Sequence, residues 1–263
     1  MLNWNIYSIW FYKFTFFGNV MNLIIDVGNS YVKLAVYKKT ELIDKVIVLL
    51  ADVVGVVRTL TKKYKGVNRA IISSVGRLAE KDVEAISKCI DLTILNSETN
   101  LPFKNLYKTP KTLGVDRIAL VCGSIRQFSD KNVLIIDAGT CVTYDFINSD
   151  NEYLGGAISP GIRIRYKALN NLTANLPLLE SEMPNGIIGR STDESIHSGV
   201  MYGILNEIDG VIELYKQKYS DLTVILTGGD AKFLSKQLKS SIFANPNFLL
   251  EGLNFILQFN SSE

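Results

Sequence analysis

Two aspartates stand where a carboxylate can do chemistry. Asp26 and Asp137 each end a branched apolar run and precede a glycine, in Leu23-Ile24-Ile25-Asp26-Val27-Gly28-Asn29 and Leu134-Ile135-Ile136-Asp137-Ala138-Gly139-Thr140. Runs of this kind read as buried strands, so each carboxylate is delivered at a strand end into a turn. Turn glycines admit a ligand close to the backbone, and successive N–H groups there form an anion-binding nest. Asp26, Gly28, Asn29, Ser30 and Lys33 thus offer a carboxylate for hydrated Mg²⁺, amides for phosphate oxygens, a hydroxyl and a cation. That equips a nucleotide phosphate site without a Walker loop, and the chain holds neither GxxxxGK followed by Ser or Thr nor GxGxxG. A third glycine turn, Thr227-Gly228-Gly229-Asp230, follows the run Val224-Ile225-Leu226. It could floor an adenosine pocket or serve only as a β–α connection needing left-handed backbone.

The rest of the composition narrows the chemistry. His197 is the single histidine, which rules out a multi-histidine metal site and leaves acid–base work to carboxylates. On its helical stretch it reads as structural. Cys89, Cys122 and Cys141 are dispersed, with no CxxC pair, so a disulfide scaffold or zinc cluster is not expected; buried apolar fillers in a reducing cytoplasm are. A formal charge of +2 lacks the basic excess of a nucleic-acid binder.

The elements that must position these groups alternate from Met21 onward. Strands are expected at 23–26 and 32–37 around a Gly28-Asn29 turn, a helix at 53–64, a strand at 69–73, a helix at 80–89 and a strand at 92–95. Ile118, Val121, Cys122 and Ile125 recur at helical spacing, predicting a helix over 115–128. Strands follow at 133–137 and on to Phe146. Gly155, Gly156, Pro160 and Gly161 read as a sharply bent loop that shapes the pocket. Leu205, Ile208 and Ile212 share one helical face, suited to a core or an interface.

The two aspartate segments align without a gap at an offset of 111 residues, the signature of a duplicated unit. A polar stretch at 129–132 marks the expected boundary, giving lobes of 21–130 and 131–263. Residues 1–20 are crowded with aromatics, carry one charge and show no settled period. Their apolar stretch is shorter than the roughly 20 residues of a membrane span. They read as an extension outside the fold, with Met21 as the true start and a membrane-surface anchor as the alternative.

Paired phosphate turns followed by a strand–Gly-Gly–helix element resemble the actin, Hsp70 and sugar-kinase superfamily. Asp26-Val27-Gly28-Asn29-Ser30-Tyr31-Val32-Lys33, Gly114-Val115-Asp116-Arg117, Asp137-Ala138-Gly139-Thr140, Gly155-Gly156-Ala157-Ile158-Ser159-Pro160-Gly161, and Ser191-Thr192 with Ser198-Gly199 occur in that order. Together they resemble type III pantothenate kinase from Met21 to Asn254. The resemblance implies an α/β fold of two duplicated ribonuclease H-like lobes with an inter-lobe cleft. It implies ATP-dependent phosphorylation of the primary hydroxyl of pantothenate, the first step of coenzyme A synthesis, by a cytoplasmic homodimer whose substrate pocket lies at the subunit interface.

By that resemblance Asp116 is the catalytic base. A carboxylate at a helix start is kept ionised by the dipole and ready to accept the hydroxyl proton. Arg117 could grip the substrate carboxylate; the bland alternative is a helix-start charge beside a surface cation. The same resemblance gives Asp26 through Lys33 and Thr140 to ATP with Mg²⁺, and Asp137 to a monovalent cation, K⁺ or NH₄⁺. Tyr107, Gly114, Val115, Asp116, Arg117 and Thr192 match substrate-contacting positions, although Ser191 or Thr192 also suits a helix N-cap. Ser30 stands where many members have threonine and keeps the hydroxyl. The rival expectations are another small-molecule kinase of the superfamily, such as a sugar or acetate kinase, and a nucleotide-binding regulator without kinase activity.

Overall fold

The computed structural model describes residues 20–29, 31–74 and 78–261, so the expectations for residues 1–19 and for Ser30 lie outside the described residues. The chain gathers into two compact units that divide between Ile94 and Leu95.

In the first unit, β1 (Met21–Val27), β2 (Val32–Lys38) and β3 (Glu41–Val48) form an antiparallel meander. After α1 (Val53–Lys63), β4 (Val67–Ser74) pairs parallel to β1; after α2 (Glu80–Ser87), β5 (Asp91–Ile94) pairs parallel to β4. The strand order is β3-β2-β1-β4-β5. Leu23, Ile25, Val32, Leu34, Ala70 and Ile72 on one face of this sheet pack with Val53, Val57 and Leu60 of α1 and Ile86 of α2. Ile24, Ala35 and Ile71, pointing the other way, are buried too. Near-continuous apolar runs rather than alternation are what a sheet buried on both faces requires.

The second unit repeats this topology. β7 (Val133–Ala138), β8 (Cys141–Ile147) and β9 (Glu152–Pro160) make the meander, while β10 (Thr223–Thr227) and β11 (Phe243–Ala244) add the parallel strands. A two-residue strand, β6 (Lys104–Asn105), extends the β9 edge, giving the order β11-β10-β7-β8-β9-β6. Thus β1 and β7, the strands that carry the repeated sequence, hold the same central place in their sheets. Val142, Tyr144 and Phe146 on one face of β8 pack with Ile162 and Tyr166 of α4 (Ile162–Asn171) and with α5 (Thr192–Lys218). Leu205, Ile208 and Ile212 of α5 belong to this core, which decides between the two expectations for them. The remaining α-helices among the described residues are α3 (Val115–Gln127), α6 (Ala231–Leu234) and α7 (Phe248–Asn260). A Cβ on Gly252 of α7 would fall 1.9 Å from the Ala119 carbonyl oxygen of α3, so that crossing depends on glycine.

Three expectations change. The compact division comes at 94/95 and not at 129–132, because α3 packs on α7 and touches β7 and β8. Gly155, Gly156 and Pro160 are not loop residues: they lie within β9, and only Gly161 follows it. Cys122 is buried as expected, but Cys89 is exposed and Cys141 only half-buried.

Candidate functional site

The first aspartate corner is set by cross-strand register. Asp26 sits opposite Lys33 across β1 and β2, with its Oδ2 3.5 Å from the lysine Nζ. The connection is closed by the Gly28 N–H donating to the Tyr31 carbonyl at 3.1 Å. Val27 and Val32 point into the core, so of the segment 26–33 they have only backbone to offer a ligand. Asn29, Tyr31 and Lys33 leave a polar, partly exposed rim beside the buried Asp26.

In the second unit the equivalent corner is Asp137-Ala138-Gly139-Thr140, with the Gly139 N–H donating to the Cys141 carbonyl at 2.9 Å. Two other glycines enclose it. Gly161 donates its N–H to the Thr140 carbonyl at 3.1 Å, and a Cβ there would meet the Gly139 and Thr140 oxygens at 2.3 and 2.4 Å. Gly228, at φ +97°, lies so close that a Cβ would fall 2.3 Å from both Asp137 Oδ1 and the Ala138 oxygen. The Ala138 carbonyl also accepts the Asp230 N–H at 2.9 Å. The strand–Gly-Gly element therefore packs directly on the Asp137 turn. A half-buried carboxylate oxygen and a backbone carbonyl oxygen facing one small space form a donor set that suits a hard cation.

The third group is the start of α3. Asp116 folds back over its own helix end, its Oδ1 accepting the Arg117 N–H at 2.9 Å. A Cβ on Gly114 would come within 2.4 Å of that oxygen, so a side chain there would push the carboxylate out of this position. Arg117 is no surface cation. It is 5% exposed, and its Nε donates to Asp145 Oδ1 of β8 at 2.8 Å. Tyr153 of β9 donates its hydroxyl to the same oxygen at 2.7 Å. Arg117 Nη2 is buried and has no hydrogen-bond partner. Burial raises the Asp145 carboxyl above its ordinary range, against the opposing pull of Arg117 and the Tyr153 hydroxyl. The Arg117 guanidinium, penalised by the same burial, is held charged chiefly by Asp145. Burial, with the carboxylate beside it, pushes the Tyr153 hydroxyl far above its usual value, so it remains a donor.

Tyr107 completes this cluster. Its ring stacks on Tyr153 with centroids 6.1 Å apart and faces the Arg117 guanidinium at 5.6 Å. An Asx turn, Tyr107 N–H to Asn105 Oδ1 at 3.0 Å, fixes the residue just after β6. Of the expected substrate residues, Tyr107 and Arg117 are thus in contact, with Gly114, Val115 and Asp116 beside Arg117 on the same helix start. Thr192 is elsewhere. It lines a cavity of about 760 Å³ with Leu169, Leu176, Gly189, Arg190, Ser191, Ser195, Ile196 and Gly199, which includes none of the others. Ser191, and not Thr192, is the N-cap of α5, accepting the Glu194 N–H at 3.2 Å. His197 Nδ1 meets the Tyr166 hydroxyl at 2.8 Å, in keeping with a structural role.

Asp145 and Tyr153 were not anticipated. The signal was present in Cys141-Val142-Thr143-Tyr144-Asp145-Phe146-Ile147, where an acid interrupts a strand otherwise apolar enough to be buried. A charge there must have a partner.

Comparison with known proteins follows the same lines. Residues 22–214 match the family model described as type III pantothenate kinase. A type III pantothenate kinase of Christiangramia forsetii is 50% identical over 92% of this chain and 100% of its own length. That of Flavobacterium johnsoniae is 44% identical over 91% of this chain and 98% of its own. Among solved structures, a conserved Campylobacter jejuni protein assigned to the Baf family of transcriptional activators superposes with a TM-score of 0.62 at 20% identity, covering 92% of this chain and 100% of that one. A glucokinase from an Antarctic psychrotroph gives 0.53 at 11% identity, covering 91% and 99%. These structures are alike in fold: two ribonuclease H-like lobes of the sugar-kinase type.

Proposed function

The chain belongs to the type III pantothenate kinase family and transfers phosphate from ATP to pantothenate in coenzyme A synthesis, and we propose that it does so with Asp116 as the catalytic base. The observation that carries this reading is the start of α3. There Gly114 leaves room for the Asp116 carboxylate, and the next residue holds a buried guanidinium with an unpaired N–H.

In this mechanism Arg117 binds the pantothenate carboxylate while Tyr107 covers the substrate, so the primary hydroxyl is presented to Asp116. Asp116 accepts the hydroxyl proton as the oxygen attacks the γ-phosphorus in line. The bond to the β–γ bridging oxygen breaks and ADP leaves. The backbone amides and Lys33 of the first corner are assigned to the ATP phosphates, and so is Thr140; Mg²⁺ carried with the nucleotide would supply positive charge against the charge that develops on them. Asp137 with the Ala138 carbonyl would hold K⁺ or NH₄⁺; such a cation supplies fixed positive charge beside the phosphates. Thr192 lines a cavity that includes neither Tyr107 nor Arg117; a homodimer in which each copy's Thr192 serves its neighbour would reconcile this with the substrate contact that the resemblance gives it. A cytoplasmic location fits three thiols that are all free. No helix among the described residues is long and apolar enough to cross a membrane.

Asp116→Asn tests the assignment. The amide keeps an oxygen to accept the Arg117 N–H but cannot take a proton. The melting temperature is expected to hold while kcat falls roughly 10²–10⁴-fold. Wild-type turnover in that variant would remove Asp116 from the mechanism.

A further inference from the structure

We propose that Asp145 and Tyr153 are positioning residues that make Arg117 and Tyr107 a rigid receptor for the substrate's carboxylate. The inference rests on the reading of Arg117 given above and extends it to residues that touch no reacting atom.

The geometry is unusual for a pair kept only for stability. Asp145 is fully buried and Arg117 nearly so. A buried ion pair of this kind is often replaceable by apolar side chains of similar volume without loss of stability. The pair is also made through Nε alone and is not the two-point fork that arginine and carboxylate favour. Nη2 flanks Nε on the edge facing Asp145 and also shares the guanidinium's outer edge; it is buried without a hydrogen-bond partner, as is Asp145 Oδ2. A buried charged donor left unpaired is among the costlier defects a fold can carry, and an anionic ligand would repair it.

Tyr153 acts on both members of the receptor. Its hydroxyl occupies the same Asp145 oxygen as Arg117 Nε, which fixes the carboxylate's rotation. Its ring backs the Tyr107 ring, whose other neighbour is the guanidinium. The strand beneath has been shaped to allow this. Gly155 takes φ +103° where the β8–β9 register slips, and a Cβ there would press on Tyr107 Cδ2 at 3.2 Å. A positive-φ glycine at the register slip, directly under one ring, marks a place where fit has been favoured over regular pairing.

The test compares pantothenate with its neutral N-methyl amide as phosphate acceptors for the wild type, Asp145→Asn and Tyr153→Phe. Both substitutions are near-isosteric; Tyr153→Phe, which keeps the ring, serves where Asp145→Asn fails to fold. In the wild type, kcat/KM favours pantothenate. In Asp145→Asn the pantothenate-to-amide ratio of kcat/KM is expected to fall roughly 10- to 100-fold, through KM for pantothenate, as expected for a misplaced binding group. Tyr153→Phe should lower the same ratio about threefold to tenfold. A merely structural role would weaken both acceptors alike and leave the ratio at its wild-type value, which overturns the inference. A wild type that turns over pantothenate without preferring it to the amide would instead refute the role given to Arg117. A wild type that phosphorylates neither would refute the functional reading itself.

Discussion

Gly228 and Gly229 are adjacent and read alike in the sequence, yet alanine should be costly at the first and nearly neutral at the second. Gly228 has φ +97°, a region that side chains rarely adopt, and its Cβ would lie 2.3 Å from Asp137 Oδ1 and from the Ala138 oxygen. The backbone strain alone is worth roughly 1–3 kcal/mol. Relieving the contact by moving Ala138 also endangers its hydrogen bond from Asp230, worth about 1 kcal/mol net. The expected loss is therefore about 2–4 kcal/mol. For a domain of this size, that corresponds to a melting-temperature drop of about 5–15 °C. Gly229 has nothing within 4 Å of its Cβ position and no left-handed φ, so Gly229→Ala should stay within about 0.5 kcal/mol of wild type. Thermal unfolding followed by circular dichroism, on both variants in parallel, reads the difference. Equal melting temperatures for the two would refute the claim that the Gly-Gly turn is packed on the Asp137 corner.

Three further outcomes follow from the same geometry. Gly114→Ala should displace the Asp116 carboxylate, whose Oδ1 lies 2.4 Å from the added carbon, and lower kcat at least about tenfold with little change in helix content; unaltered turnover would contradict it. Asp137→Asn should abolish any stimulation by K⁺ or NH₄⁺ seen in the wild type; a retained cation response in steady-state assays places that ion elsewhere. Burial raises the Glu207 carboxyl, but hydrogen bonds from Arg165, Ser159 and Tyr144 outweigh it and hold it below its ordinary value of 4.5. The unfolded chain therefore takes up this proton first on acidification, so stability is present above that value and lost as pH falls through the lowered one. The melting temperature of Glu207→Gln should accordingly fall less steeply than that of the wild type from about pH 5 to about pH 3; parallel slopes would refute it.

Where one period dominated, the sequence was readable. The gapless match between Leu23–Asn29 and Leu134–Thr140 corresponds to two strands, β1 and β7, with the same neighbours in the same directions. The helix carrying Asp116 and Arg117 begins at Val115 as its spacing predicted. Legibility failed where tertiary packing overrode local preference. Gly155, Gly156 and Pro160 are poor strand formers, but β9 runs between β8 and β6, and a Cβ on Gly156 would fall 1.6 Å from the Tyr144 carbonyl oxygen. The glycines thus serve close approach inside a sheet, where composition suggested a loop. The alternative of a surface cation stayed open for Arg117 because its partner, Asp145, is 28 residues away and is brought near only by the packing of α3 on β8. No local pattern encodes that distance.

The most direct test of the whole account is to incubate the purified full chain with MgATP and pantothenate, with and without K⁺, and follow the products by mass spectrometry and phosphorus NMR. The account predicts one ADP formed per molecule of 4'-phosphopantothenate, with no ADP accumulating when pantothenate is omitted. ATP bound without any phosphate appearing on pantothenate would contradict it.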